Sequence, residues 1–302
     1  MKRFTFNIFL FLLPILIIGV ALEFFLREIP NQYTLKANYI ITNSSKIETL
    51  VLGSSHTYYG VNPVYFTKPC FNIANISQSL NFDYELLKKH EHELNNLNTV
   101  IIPISYFSLF EKLDEGEESW RIKNYTIYYD LDVSDKLAKN SEVLSISLDD
   151  NISRISSYYL INNFTLNCSE LGWGNSYRLE ESLDLDKTGI SSAKRHTIDH
   201  LKLLEENLTT LKSIINLCNK HNVNVLLFTP PAYESYYKNL NKMQLDITIN
   251  NAQKLSGSHG NCTYINLLKD SSFTKNDFYD ADHLNNKGAK KLSELLNDLI
   301  SN

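Results

Sequence analysis

Glycine and proline are scarce, with 10 and 7 residues in a chain of 302, below their usual shares of about 7% and about 5%. A glycine-rich phosphate loop and a low-complexity linker are therefore excluded. Cysteine is also sparse. Cys70, Cys168, Cys218 and Cys262 show no C-x-x-C spacing, which argues against a zinc ribbon or a thioredoxin-type redox pair. In an oxidising compartment they allow one or two disulfides, and otherwise they are small buried thiols. No charge of one sign dominates: 29 basic side chains stand against 34 acidic ones, a net charge of -5. The basic residues are scattered, so nucleic acid is not the expected partner. What is present is a chain with 43% hydrophobic residues, long enough for one large domain or two small ones.

A single hydrophobic run is long. Met1-Lys2-Arg3 leads into an apolar stretch from Phe4 to Leu26, interrupted by Thr5, Asn7, Pro14, Gly19 and Glu23. At about 1.5 Å per helical residue it matches the roughly 30 Å of bilayer hydrocarbon, so a single transmembrane helix is expected. Gly19-Val20-Ala21 offers a small-x-small cleavage site. The apolar residues nevertheless continue to Leu26, where a cleaved leader turns polar, and this favours an uncleaved anchor over a removed signal peptide. Lys2 and Arg3 set the short leading end in the cytoplasm by the positive-inside rule. The expected organisation is thus a cytoplasmic tip and anchor over 1–27, with an exported domain over 28–302 on the periplasmic or extracellular side of the cell membrane.

In the exported part, short β-rich runs alternate with helical patterns. Strands are expected at Thr49–Gly53, Cys70–Ala74, Val100–Ile104, Val223–Phe228 and Cys262–Asn266, and helices at Tyr84–Leu97, Thr197–His221, Asn239–Leu255 and Lys287–Leu299. This order implies an α/β fold of about five parallel strands between helical layers, a flavodoxin-like three-layer sandwich. Ligands gather at the carboxyl ends of such strands. Residues 107–193 break the rhythm, hold both Trp120 and Trp173, and read as an insertion on that rim, either a substrate lid or a structural cap.

Two segments carry the chemistry. Gly53-Ser54-Ser55-His56-Thr57 follows the first strand, and Asp280-Ala281-Asp282-His283 precedes the last helix. A serine hydroxyl attacks only when a base takes its proton, and the base needs an acceptor on its other ring nitrogen. Ser55, His283 and Asp280 supply that set, with Asp282 as the rival acid and His56 read as a rim residue. No cofactor or metal is expected. His196 and His200 stand four apart without an evident third ligand, so a solvated helix face is the simpler reading, and His90-Glu91-His92 lacks the two-residue spacer of a zinc-protease motif.

In this order at opposite ends of one α/β domain, the two segments resemble the SGNH/GDSL hydrolase superfamily. Gly53-Ser54-Ser55 matches its nucleophile block with Ser in place of Asp, and Asp280-Ala281-Asp282-His283 matches its Asp-x-x-His block. Gly-Ser-Ser-His, the run Phe71–Ser79 and Thr229-Pro230-Pro231 resemble the membrane-anchored branch that includes the lipoteichoic acid D-alanylation protein and envelope polysaccharide O-acetyltransferases. The resemblance implies a serine acyltransferase or esterase acting on O-acyl groups of a cell-envelope glycan or glycopolymer, with a multi-spanning membrane partner delivering the acyl donor. An exported lipase or esterase and an inactive scaffold of a polysaccharide complex are the alternatives. The superfamily's oxyanion hole adds a Gly after the second strand and an Asn after the third, and neither is present. The Ser55 N–H carries over, with Asn75 and then Ser105 as the expected further donors.

Overall fold

A computed structural model describes residues 2–198 and 200–301. The helices and strands follow in chain order. Helix α1 is Lys2–Arg27 and α2 is Gln32–Asn43; then come β1 at Thr49–Val51, α3 at Ser55–Gly60, β2 at Cys70–Asn72, α4 at Leu80–His90 and β3 at Thr99–Pro103. Helices α5 (Ile122–Ile127), α6 (Glu142–Ser145), α7 (Leu148–Ile155), α8 (Leu185–His196) and α9 (Leu204–Lys220) precede β4 at Asn224–Thr229. Helices α10 (Glu234–Tyr237) and α11 (Lys242–Ser258), β5 at Cys262–Asn266, and α12 (Asn286–Ser301) complete the chain. It forms two compact units, one of Met1–Thr34 with Glu117–Leu166 and one of Leu35–Gly116 with Asn167–Asn302.

The second unit is the expected α/β fold. Its five strands form one parallel sheet in the order β2-β1-β3-β4-β5. The chain steps from β1 outward to β2, then returns to β3 on the other flank of β1. The carboxyl ends of β1 and β3 therefore border the point where the winding reverses, the place where such sheets hold ligands. Val51, Ile101, Leu226 and Phe228 form one face of the sheet and share a core with Leu292 and Leu296 of α12. The intervening residues Leu50, Val100, Ile102, Val225 and Leu227 are equally buried, and the two-residue period of strands turns them to the opposite face. Burial on both faces explains why these strands read as continuous apolar runs rather than as alternating ones.

Two residues fix the connection after β1. Gly53 has φ +107°, and a Cβ there would collide with the Pro103 ring, so a side chain is excluded by backbone and space together. Asn72 is fully buried, donates from its amide to Thr57 O and Val61 O (2.8 and 2.7 Å) and accepts from Ala74 N–H at 3.0 Å. It thereby ties the end of β2 to α3.

The helical expectations required three corrections. The helix expected over Thr197–His221 is α9 alone, which opens only at Leu204, because α8 closes at His196. Helix α8 lay in the stretch read as aperiodic; Asp184 starts it by accepting from Asp186 N–H and Lys187 N–H. Helix α4 begins four residues before the expected start and ends at His90, where Glu93 and Leu94 turn back onto the His90 carbonyl. Trp120 and Trp173 belong to different units, and the Trp173 indole donates to Tyr59 O at 2.7 Å.

The first unit contains α1 and α5 to α7. Helix α1 has 26 residues, about 39 Å at 1.5 Å each, and its apolar side chains are exposed almost throughout. It is long and apolar enough to cross a membrane. Buried Glu142 pairs with Lys123 and with Arg154 (2.6 Å), and accepts from Tyr128 Oη at 2.7 Å. A cavity of about 660 Å³ in this unit is lined by Tyr33, Trp120, Arg121, Asn124 and Arg154 among others.

Candidate active site

The turn that carries the candidate nucleophile, Ser55, is built from backbone upward. Strand β1 ends, Gly53 turns the chain in the left-handed region and donates its N–H to buried Asp83 at 2.8 Å. Ser54 precedes the helix in extended geometry, and Ser55 is the first residue of six-residue α3. Thr57 Oγ1 locks the turn by donating to Leu52 O at 2.8 Å. Ser54 and His56 are buried while Ser55 is only half-buried, so Ser55 is the serine of this turn within reach of solvent.

The candidate acid and base, Asp280 and His283, come from one tight loop before α12. Phe278 and Leu284 form a bridge, and Tyr279 N–H donates to His283 O at 2.9 Å. Asn285 holds the loop's foot, donating to Asn276 O and Phe278 O and accepting from Lys287 and Gly288 N–H to start α12. Inside the loop, Asp280 Oδ1 accepts from Asp282 N–H (3.1 Å) and His283 N–H (2.8 Å). The same carboxylate receives His283 Nδ1 at 3.0 and 3.1 Å. His283 Nε2 then lies 2.9 Å from Ser55 Oγ. Residues 228 apart in sequence thus form one continuous chain of hydrogen bonds, Asp280 to His283 to Ser55. Asp282, the rival acid, is farther from His283 Nδ1, at 3.7 Å.

A second buried cluster lies beneath His283. His56 is not at the rim: it is buried, its ring packs edge-on against His283 with centroids 4.9 Å apart, and its Nδ1 meets Ser105 Oγ at 2.7 Å. His196 is likewise buried at the end of α8, with Nδ1 2.9 Å from Tyr236 Oη, rather than on a solvated face. His200 lies beyond that helix. Asp282 Oδ2 stands 3.6 Å from His56, 3.8 Å from His196 and 4.0 Å from Arg195. Among the described residues neither Asp282 oxygen nor His56 Nε2 has a hydrogen-bond partner. The neighbouring cavity, lined by His56, Ser105, Pro230, Tyr236 and Asp282, holds only about 10 Å³, so the cluster is shielded from bulk water.

Charges in so enclosed a place act strongly. Burial works against a charge on His283, but the carboxylates of Asp282 and then Asp280 outweigh it and raise the imidazole to about 9. Burial likewise opposes ionisation of Asp282, yet His283, His56 and His196 around it hold its carboxyl well below the usual range. Burial lowers His56, and lowers His196 to about 3. These neighbours favour the protonated form of His283 and the ionised form of Asp282. The ligand atoms of His56, Asp282 and His283 lie within 4.8 Å of one another, a spacing that a metal ion could use. His283 uses both ring nitrogens otherwise, Nδ1 on Asp280 and Nε2 beside Ser55 Oγ.

Asn75 and Ser105, the expected oxyanion donors, are both buried and committed to neighbours. Asn75 donates its amide to Ile73 O (3.1 Å) and Gln78 Oε1 (3.0 Å), and its backbone N–H to Gly53 O. Ser105 N–H donates to Ser108 Oγ at 2.9 Å, and its hydroxyl faces His56. The Asn75 bonds and the Ser105 N–H bond hold local turns, while the Ser105 hydroxyl bonds across to His56. The N–H groups of Ser55 and His56 open α3, where a helix has no internal acceptor for them. Asn75→Ala is accordingly expected to lower the melting temperature while leaving acylation of Ser55 per folded molecule within a few fold of the parent. Thermal unfolding and single-turnover rates on the same preparation check this. A loss of about 10²-fold in a protein of unchanged melting temperature would place Asn75 in the oxyanion hole.

Sequence reasoning also missed an aromatic stack beside His283. Tyr177 lies between Tyr59 and Tyr279 with ring centroids 3.7 and 3.9 Å apart, and His283 meets Tyr177 edge-on at 5.6 Å. Tyr177 comes from the aperiodic stretch, and no spacing rule connects it to Tyr59.

Residues 174–298 match a family described as a protein of unknown function (DUF1574); that span holds Asp280 and His283 but not Ser55. No curated protein matches the chain. Among solved structures, one provisionally described as a platelet activating factor from Streptococcus pneumonia is 12% identical, covering 89% of this chain and 92% of its own, with a TM-score of 0.43.

Proposed function

We propose that this chain is a membrane-anchored serine enzyme of the SGNH type that moves O-acyl groups, with a cell-envelope glycan or glycopolymer as acceptor. The observation that carries the reading is the hydrogen-bonded line from Asp280 through His283 to Ser55. Ser55 Oγ bonds to the acyl carbon as its proton passes to His283 Nε2, and the carbonyl oxygen becomes an oxyanion facing the Ser55 N–H. The bond to the leaving oxygen breaks, and that oxygen takes the proton from His283. In the second half, an incoming hydroxyl gives its proton to His283 and attacks the acyl-serine, and Ser55 leaves with the proton. A sugar hydroxyl gives transfer, and water gives hydrolysis.

The glycan side of the reading rests on the resemblance of Gly53-Ser54-Ser55-His56, Phe71–Ser79 and Thr229-Pro230-Pro231 to the envelope branch. A multi-spanning membrane partner would supply the acyl donor, because one helix offers no route for it.

Reconstituted protein given a short p-nitrophenyl ester is expected to release p-nitrophenol in a burst equal to the enzyme present, leaving the acyl group on Ser55. An added envelope oligosaccharide should then speed turnover and emerge acylated. Free acid as the sole product, with preference for long acyl chains, would favour the exported lipase or esterase. Absence of both burst and acyl-serine would leave the inactive scaffold.

A further inference from the structure

Outside the catalytic unit, the first unit carries an unusual surface. In Leu144–Phe164, the side chains of Leu144, Leu148, Ile152, Leu160, Ile161 and Phe164 are all exposed, Leu160 by 80%. Leu148 and Ile152 stand one turn apart on α7, with Asp150 between them on the opposite side. Soluble surfaces rarely gather this much apolar area in twenty residues.

This surface is fastened to the outer end of α1. Glu23, which interrupts the apolar run, accepts from Ser141 Oγ (2.7 Å) and from the N–H groups of Glu142 and Val143 (both 3.0 Å), thereby capping α6. Arg27 pairs with Glu23 at 2.7 Å and donates to Asn140 O at 2.9 Å. Tyr159 Oη donates to Phe25 O at 3.0 Å, and the two rings meet edge-on at 5.6 Å. With α1 across a bilayer, Glu23 and Arg27 mark the depth at which hydrocarbon gives way to headgroups. Tyr159 would sit where interfacial aromatic residues collect. Tyr159 is followed directly by exposed Leu160 and Ile161.

We propose that residues 144–164 form a monotopic platform, with Leu148, Ile152, Leu160 and Phe164 seated in the boundary between headgroups and acyl chains beside the α1 span. Asp149 and Asp150 on α7 argue against attraction to anionic lipid, so the contact is driven by apolar burial and needs no acidic headgroup. Its effect would be to hold the first unit flat on the membrane rather than on a free stalk. The proposal rests on α1 spanning the membrane and is independent of the chemistry at Ser55.

The four native cysteines are buried and unpaired, so a single introduced thiol can be labelled selectively. Full-length Ile152→Cys, Leu160→Cys and Asp150→Cys proteins would be labelled with bimane and reconstituted into phosphatidylcholine vesicles. Retention on the vesicles through an alkaline carbonate wash is expected first, and release there would overturn the span on which the platform depends. In retained protein, doxyl-labelled phosphatidylcholine should quench positions 152 and 160 at least threefold more than position 150, and aqueous iodide should show the reverse order. Equal iodide quenching at all three positions, without lipid quenching, would overturn the platform. Shielding of position 160 from both quenchers, with cross-linking between chains through that thiol, would overturn it in favour of a second copy on the same face. The same quenching order in uncharged and anionic vesicles is expected from an apolar contact.

Discussion

Ser55→Ala is expected to abolish acyl turnover to within the residual rate that binding and the oxyanion site alone provide, a loss of about 10⁴-fold or more. His283→Ala should lose about as much. The double variant should lose little beyond either single one, because the hydroxyl and the imidazole hydrogen-bonded to it at 2.9 Å act only together. Asp280→Asn should lose orders of magnitude in rate as well, since an amide at this position can present its N–H₂ to His283 Nδ1 and favour the wrong tautomer. It also holds its loop through two backbone N–H groups, so circular dichroism must accompany its kinetics. If Ser54→Ala is inactive and Ser55→Ala active, the nucleophile is the buried neighbour instead.

The second large effect is on pH dependence. A general base works only when neutral, and His283 is held up to about 9 by two carboxylates against the pull of its own burial. The rate of acylation is therefore expected to rise about tenfold per pH unit toward a plateau near pH 9, so that at pH 7 roughly one hundredth of the plateau rate is available. The groups facing this imidazole set the direction. Asp282 and Asp280 raise it and Arg195 lowers it, while His56, Tyr59 and Tyr177 pack against its ring. Asp282→Asn removes one negative charge that favours the imidazolium. The midpoint should then move to lower pH, and the rate at pH 7 should increase although the plateau does not. Acylation rates measured from pH 6 to 10 on both proteins decide the matter. An unshifted midpoint in the folded variant would show that Asp282 does not act on the base.

The strands were the most legible part of the fold because both faces of the sheet are buried, which makes each a short apolar run. Cys262–Asn266 matches its observed bounds, and the others shift by one to two residues at their ends. Helix α8 was hidden by Gly189 and its serines, which weaken the apolar period. Gly189 is there because Ser235 packs against its Cα, a tertiary requirement that no local pattern reports. At the site, the Asp280–His283 pairing was visible because three residues separate its members and a loop could bring them together. The location of His56 was not. Its neighbour Ser55 faces solvent and His56 faces inward, and only the fold shows that inward meets Asp282, Ser105 and His196. The commitments of Asn75 were equally invisible, since Gln78 becomes its acceptor only once the turn has formed.

The central claim is that Ser55 is a nucleophile activated by His283. Its most direct test is covalent: full-length protein treated with a fluorophosphonate, digested, and read by peptide mass. The account predicts one modified serine, Ser55, with modification strongly reduced in His283→Ala and faster at pH 9 than at pH 7. Folded protein that takes up no label, or that takes it up at Ser54 or independently of His283, would contradict it.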